Sequence, residues 1–418
     1  MPENAPLLAA VLLVALGLTV APQAGWSQAE ASEKGFRLAS GNEAFELRLR
    51  ADLYADARFF PGTNSLPGAE RIFLRRARPR LQGRVFERFA FSLRSDFGIG
   101  GPEIDDAFLE ARFAPELRLR MGRFKVPIGL ENLQSTSGLT HVERGFPTAL
   151  VPGRDVGVML TGEIVEATVR YAVGVFNGAP GSTEPGADVD DAKEGAGRLF
   201  VTPFAGADGP LRGLGVGLAG SIGSVTGTSA TPSLTRPQTS GRQPFFRYAS
   251  DTRADGAYDT RADGQRWRVA PQARLFAGPV ELLGEYTVAS EDIRNGSAER
   301  SLTHRAWQVS AAVVLTGEDT REGSVVPQEP FGRSPGPGAV ELGVRGHGVT
   351  LDNDTFPTFA PAAGAGEAVQ AWGVTLSWYP NTIVRMMLGV ERTTFDGANG
   401  TSDPGAENLL LARMQFAF

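Results

Sequence analysis

The sequence predicts an all-β chain, a 16-stranded antiparallel transmembrane β-barrel whose third external loop folds into the bore. Three observations predict it. Long stretches alternate apolar and charged residues with a period of two, the spacing at which an extended chain sends neighbouring side chains to opposite faces. Beyond the first thirty or so residues no segment holds the roughly 20 consecutive apolar residues of a spanning helix. A membrane role therefore falls to a closed barrel, the other structure that pairs every backbone group in lipid. The stretches number 16, an even count, as in single-chain bacterial barrels.

The ends of the chain set its organisation. Leu7 to Val20 is an apolar run too short to span a bilayer, followed by small residues and a cleavage site at Ser27-Gln28-Ala29. Residues 1–29 read as a secretory signal peptide, atypical in that only Glu3 is charged ahead of the apolar run. Residues 30–43 read as an N-terminal periplasmic segment and 44–418 as the barrel. Cysteine is absent, which removes disulfides and thiolate metal sites. His141, His304 and His347 lie too far apart in sequence to show a ligand spacing, and no cofactor is expected. The net charge of −6 argues against a nucleic-acid partner. Its distribution is uneven: 44–125 carries 16 Arg or Lys against 11 Asp or Glu, while 178–195 holds five acids and one lysine.

Phe45 to Phe59 keeps strict alternation for 15 residues, with every odd position apolar and Glu46, Arg48, Arg50, Asp52, Asp56 and Arg58 on the even face. So much charge on one face does not fit a soluble core but suits a wet lumen. On the second strand Arg76, Arg78, Arg80, Gln82 and Arg84 share a face, with Pro79 opposite as an anomaly, because it deletes a ladder donor. The third strand, Phe89 to Phe97, sends Arg94 and Asp96 inward. Asp106 to Phe113 turns at Ala114-Pro115-Glu116 into Leu117–Met121, whose inward residues are Arg118 and Arg120. After a long loop, strands are expected at 156–161, 165–176, 198–204, 214–222, 266–276, 280–288, 305–316, 339–347, 368–379, 383–393 and 410–418; Arg266 and Arg268 face the lumen on the tenth. The near-duplicate Asp251–Gly256 and Asp259–Gly264 reads as a loop expansion, without the following Glu that a calcium loop supplies.

Connection lengths give a second line of reasoning. With the amino end periplasmic, the odd connections are external and mostly long, the even ones mostly tight, as in outer-membrane barrels; 317–338 is the exception. The third external connection begins at Lys125, where alternation stops, and carries Glu131, Ser135, Ser137, His141, Glu143 and Arg144 as polar candidates for a constriction. The last strand puts Leu410, Ala412, Met414, Phe416 and Phe418 on the lipid face. Ending in phenylalanine, it resembles the signal by which the barrel-assembly machinery recognises outer-membrane proteins.

Order and spacing of several short runs resemble the phosphate-selective porin O and P family: Phe73–Arg78, Met121–Glu131, Glu143-Arg144, Arg154–Gly157, Leu315–Glu318, Gly338–Leu342 and Trp378–Asn381. The resemblance implies a non-enzymatic outer-membrane channel of a Gram-negative bacterium, usually trimeric, embedded in lipid and lipopolysaccharide and passing small anions such as phosphate. It also implies that Arg75 and Arg76 are a pair of pore arginines and that Lys125 opens a constriction loop. Only Lys34, Lys125 and Lys193 occur, so no lysine cluster can assemble within the loop. The interleaved Asp52, Asp56, Asp96 and Asp106 would weaken or cancel individual anion sites. Competing expectations are a general non-selective porin, an outer-membrane hydrolase using His141 with Ser135 or Ser137, and a plugged structural barrel.

Overall fold

The computed structural model describes residues 26–418 except 63–67, 167, 180–189, 250–259, 333–334 and 401–404. Two short strands, β1 (Trp26–Ser32) and β2 (Gly35–Ser40), precede sixteen longer ones: β3 (Phe45–Phe59), β4 (Arg71–Val85), β5 (Phe89–Asp96), β6 (Glu103–Ala114), β7 (Leu117–Lys125), β8 (Arg154–Ile164), β9 (Val169–Phe176), β10 (Glu194–Val201), β11 (Gly215–Thr226), β12 (Thr260–Ala277), β13 (Val280–Asn295), β14 (Ala298–Val314), β15 (Ala339–Thr350), β16 (Gly366–Tyr379), β17 (Val384–Gly397) and β18 (Gly405–Ala417). Each of the sixteen pairs antiparallel with the next, and β18 pairs with the carboxy-terminal half of β3, so the sheet closes on itself. Closure leaves no row of unpaired N–H and C=O groups to face lipid. The amino-terminal half of β3 takes β2 instead, Phe36 opposite Leu49, and Phe418 exchanges both backbone hydrogen bonds with Ala51 where β18 ends. Of the 1–29 signal segment, residues 1–25 lie outside the described residues, and the stretch 30–43 contributes to the β1–β2 hairpin.

Burial is inverted relative to a soluble protein. Leu109 and Met121 are 69% and 65% exposed on the outer wall, whereas Tyr54 and Arg266 on inward positions are 0% and 1% exposed. In water this arrangement would forfeit about 25 cal/mol for every Å² of apolar surface left uncovered, a cost that a hydrocarbon surround removes. The apolar core therefore lies inside the bore, between loops and wall. Phe146 and Leu150, Phe245 and Phe246, and Leu351 and Phe359 come from three connections and pack on Ala306, Val349 and Phe395.

Several boundaries differ from those the pattern suggests. Val165 and Glu166 take positive φ (53° and 51°) in the turn after β8, so the next strand begins at Val169 rather than Val165. The strand expected over 198–204 runs from Glu194 to Val201. β13 and β14 extend to a two-residue turn, Gly296-Ser297, with Gly296 at φ 60°, so this external connection is short although a long one was expected. A glycine at the first central position is what a tight hairpin turn of this hand requires. Thr260–Gly264 of the duplicated Asp-Thr-Arg-Ala-Asp-Gly segment belongs to β12 and not to a loop; residues 250–259 lie outside the described residues. Pro79 falls just past Arg80, where the β4–β5 ladder stops, and the Asp96 carboxylate accepts the Ala77 N–H beyond it at 3.1 Å.

Candidate functional site

The site is built on the 126–153 connection and the wall it faces. Pro127 and Gly129 (φ 81°) end β7, a single helical turn follows at Leu130–Leu133, and the Asn132 amide closes the loop's neck by donating to Ile128 O at 3.1 Å and Pro152 O at 3.0 Å. Lys125 Nζ donates to Asn132 O and Gln134 O at 2.5 and 2.8 Å, and Arg144 donates to Glu131 O and Gln134 O at 3.1 and 3.0 Å. Both cations thus cap carbonyls that the short helical turn leaves unsatisfied.

One side of the loop is bonded to the barrel. Arg268 (β12) donates to Leu150 O, Arg345 (β15) to Glu143 O, Arg385 (β17) to Leu139 O and Arg413 (β18) to Val142 O, at 3.1, 2.7, 2.7 and 2.6 Å. His141 meets Thr375 at 3.0 Å, Phe146 N donates to His347 at 3.2 Å, and Gln415 donates to Ser137 O at 3.0 Å. Glu131 is buried and accepts from Gly145 N at 2.7 Å. Arg345, Arg385 and Arg413 were overlooked as site residues, although alternation in their strands puts them on the inward face.

The loop's other side faces β4–β10 across two hollows. One, of about 370 Å³, is lined by Arg75, Arg76, Arg78, Arg144 and Arg242 together with Asp96, Glu103, Asp105 and Glu143; the other, of about 480 Å³, by Arg80, Arg94, Arg118, Arg120, Arg170 and Arg198 together with Asp106 and Glu163. Lys125 lines both, at the point where they meet.

A bulge brings Arg75 to this wall. Tyr54 pairs with Arg76 but Ala55 with Leu74, so Arg75 is the extra residue, and both arginines are buried on the inner side despite opposite parity. Doubling a side chain onto one face is what a bulge does, and bulges recur at functional sites. Arg75 grips Glu143 with Nε and Nη2 at 2.6 and 3.0 Å, and Arg413 clasps Asp56 at 2.8 and 2.8 Å while reaching Glu143 at 3.2 Å. Burial works against the charged form of Glu143, but Arg75 and Arg413 outweigh it and hold its carboxyl well below the ordinary value of 4.5. Such a group contributes its stability in full above 4.5 and loses it as pH falls through the lower folded value. Loss of this anchor is expected only below about pH 4.5, as the component of an acid-induced change in single-channel conductance that wild type shows and Glu143→Gln lacks. A component near pH 6 that Glu143→Gln removes would contradict this anchor.

The other predicted cations divide into paired and unpaired. Arg78 meets Asp96 and Asp105 at 2.7 and 2.9 Å, Arg94 meets Asp106 at 2.6 Å, Arg120 meets Glu110 at 2.5 Å, Arg118 meets Glu163 at 3.5 Å and Arg48 meets Glu46 at 2.5 Å. Among the described residues Arg76 has only Asp96, at 3.8 Å. Arg50, Arg80, Lys125 and Arg144 have no carboxylate within 4.0 Å among the described residues, and neither do Arg198 and Arg242, which sequence reasoning did not select. Arg266 and Arg268 face inward but are buried: Arg266 holds Glu291 at 2.9 Å and Ser233 O, Arg268 holds Glu194 at 2.6 Å, and each braces loops instead of lining a hollow. Ser135 bonds Ser137 at 2.9 Å while His141 points to Thr375, so the serine–histidine pair of the hydrolase expectation is not assembled.

A closed barrel with an apolar outer wall and a charged interior defines the class of outer-membrane porins. The sequence profile of the family phosphate-selective porin O and P matches residues 45–418, and the chain belongs to that family. The fold is shared with the outer membrane channel DcaP of Acinetobacter baumannii (11% identity, 92% of this chain and 99% of that one, TM-score 0.58). It is shared too with OmpT of Vibrio cholerae in its trimer form (10%, 90% and 100%, TM-score 0.54) and with an anion-selective porin from Comamonas acidovorans (12%, 90% and 100%, TM-score 0.53). No curated protein sequence matches the chain.

Proposed function

We propose that this porin is a passive diffusion channel that favours anions, phosphate and related small anions among them, with its constriction between the 126–153 loop and the β4–β10 wall. The observation that carries this reading is Lys125, a cation without a carboxylate partner among the described residues, placed where the two hollows meet. Arg76, Arg144 and Arg242 on one side of it and Arg80 and Arg198 on the other extend a line of cations. Fixed charge in a low-dielectric wall focuses the field and raises the local anion concentration. Guanidinium forks accept oxyanions two bonds at a time. Several shallow sites in series let the ion leave as well as enter.

The acids Asp96, Asp105, Asp106 and Glu143 favour a second reading, a general small-solute porin, because they neutralise Arg75, Arg78 and Arg94. Zero-current potentials in a potassium chloride gradient across a planar bilayer separate the two. A chloride-selective potential with block by added phosphate is expected. A potential near zero or cation-selective, without a phosphate effect, leaves the non-selective porin. We further read residues 1–29 as a removed signal peptide, Phe418 as the mark for the barrel-assembly machinery, lipopolysaccharide and lipid as the surround, and a homotrimer as the assembly. The trimeric form of the Vibrio cholerae barrel supports the last of these.

A further inference from the structure

The connection from β14 to β15, residues 315–338, is long at the end of the barrel where its neighbours 86–88, 115–116 and 278–279 are tight. It is stapled there by Thr320 Oγ1, whose one proton is shared between Gly278 O and Val280 O at 2.9 Å each, and by Val325, which packs with Val314, Ala339 and Tyr379. Glu322 and Gly323 reach inward from these staples. A Cβ on Gly138 of the constriction loop would stand 2.7 Å from the Gly323 carbonyl, so the two connections touch backbone to backbone.

Glu322 accepts from Arg274 Nη2 (β12) at 2.6 Å and from Arg170 Nη1 (β9) at 3.3 Å. Between those strands stands Arg198 (β10), whose guanidinium donates, among the described residues, only to the neutral Gln272, at 3.2 and 3.1 Å. Arg198 and Arg274 lie over the Phe200 ring at 4.6 and 5.1 Å, which fixes their spacing. Two guanidiniums therefore share one carboxylate, and a third, Arg198, stands between their strands with no carboxylate within 4.0 Å among the described residues. The Glu322 side chain is 56% exposed and that of Arg274 only 9%, so the acid lies on the cluster from the water side. Burial opposes its ionisation, but Arg274 and Arg170 together hold its carboxyl below the ordinary value.

We propose that Arg170, Arg198 and Arg274 form an oxyanion-binding site at the tight-turn mouth of the channel, for small phosphate-bearing solutes, and that Glu322 is a tethered competitor that occupies it. The Glu322 carboxylate occupies the place that two oxygens of a phosphoryl group would take. An arriving anion displaces it, so the site weakens its ligand and releases it. The proposal rests on the anion-favouring reading only in requiring that anions reach this mouth.

The test is block of potassium chloride current through the full-length mature protein by inorganic pyrophosphate added to each side in turn. Orientation is assigned with a Ser297→Cys background and an impermeant thiol reagent, since the chain has no other cysteine. Glu322→Gln is expected to lower the half-blocking concentration from the tight-turn side by about tenfold, the worth of one freed charge-assisted bond. Block from the opposite side stays as in wild type. Arg198→Gln in the Glu322→Gln background removes the gain, and Arg198→Gln alone weakens block from the same side. Heat-modified migration on gels shows that each variant has closed its barrel. An unchanged half-blocking concentration in Glu322→Gln, an equal change from both sides, or a gain that survives Arg198→Gln would overturn the proposal. Failure of the anion-favouring reading shows separately, as a wild-type potential that is not chloride-selective.

Discussion

Lys125→Glu is expected to abolish or invert the chloride preference of the channel, the largest single effect on permeation. The ammonium lies where the two hollows meet, and no carboxylate within 4.0 Å among the described residues offsets it. A unit charge about 6–8 Å from a passing ion, at an effective dielectric constant of about 20, is worth about 2–3 kcal/mol. Reversing it changes the sign of that contribution, so the chloride-to-potassium permeability ratio should fall by at least about tenfold after screening in a wet bore. The new carboxylate would also repel Asn132 O and Gln134 O, which Lys125 now caps, and the loop could shift for that reason alone. Arg76→Glu separates the two causes, because among the described residues Arg76 caps no loop carbonyl and its nearest acid is 3.8 Å away. A smaller fall of the same sign is expected there. Unchanged permeability ratios in both variants would exclude a selective role for this wall.

Arg413→Leu is expected to have the largest effect on stability. The guanidinium is enclosed with Asp56, side chains 2% and 1% exposed, and it also binds Glu143 and Val142 O. Removing one partner of a buried pair costs about 3–5 kcal/mol, because the other charge is left without compensation. Glu143 keeps Arg75, so the uncompensated group is Asp56. Two readouts follow: a lower temperature for the shift from compact to unfolded migration on gels, and larger, noisier single-channel currents as the 126–153 loop loses an anchor. Asp56→Asn with Arg413→Leu should recover part of the loss, since it removes the stranded charge. Wild-type values in both measurements for the single variant would show that the remaining anchors hold the loop unaided.

The wall of this protein was legible in its sequence. Alternation in Phe45–Phe59 assigned every residue of β3 to lipid or lumen, and the same period located the other fifteen strands of the barrel. Boundaries were less legible at Gly296-Ser297, where 289–304 is too polar to show a lipid-facing row and reads as a loop, and at Val165-Glu166, where the turn is too short to interrupt a pattern of period two. Arg75 was invisible to alternation because a bulge depends on how β4 registers against β3, and one extra residue reverses parity from that point.

The candidate site divides in the same way. Sequence by itself indicated which cations on regular strands face inward, Arg75 on its bulge excepted, because facing is a local property of an extended chain. Which of them remain unpaired only the tertiary structure decided. Asp96, Asp105 and Asp106 offset the charge of Arg78 and Arg94 through strand pairing, Asp56 offsets that of Arg413, and Glu143, on a loop far along the chain, offsets that of Arg75. Lys125, Arg80 and Arg198 keep theirs because no carboxylate comes within 4.0 Å of them among the described residues. Neutralisation depends on separations of a few ångströms between residues tens to hundreds of positions apart, and closing the barrel sets those separations.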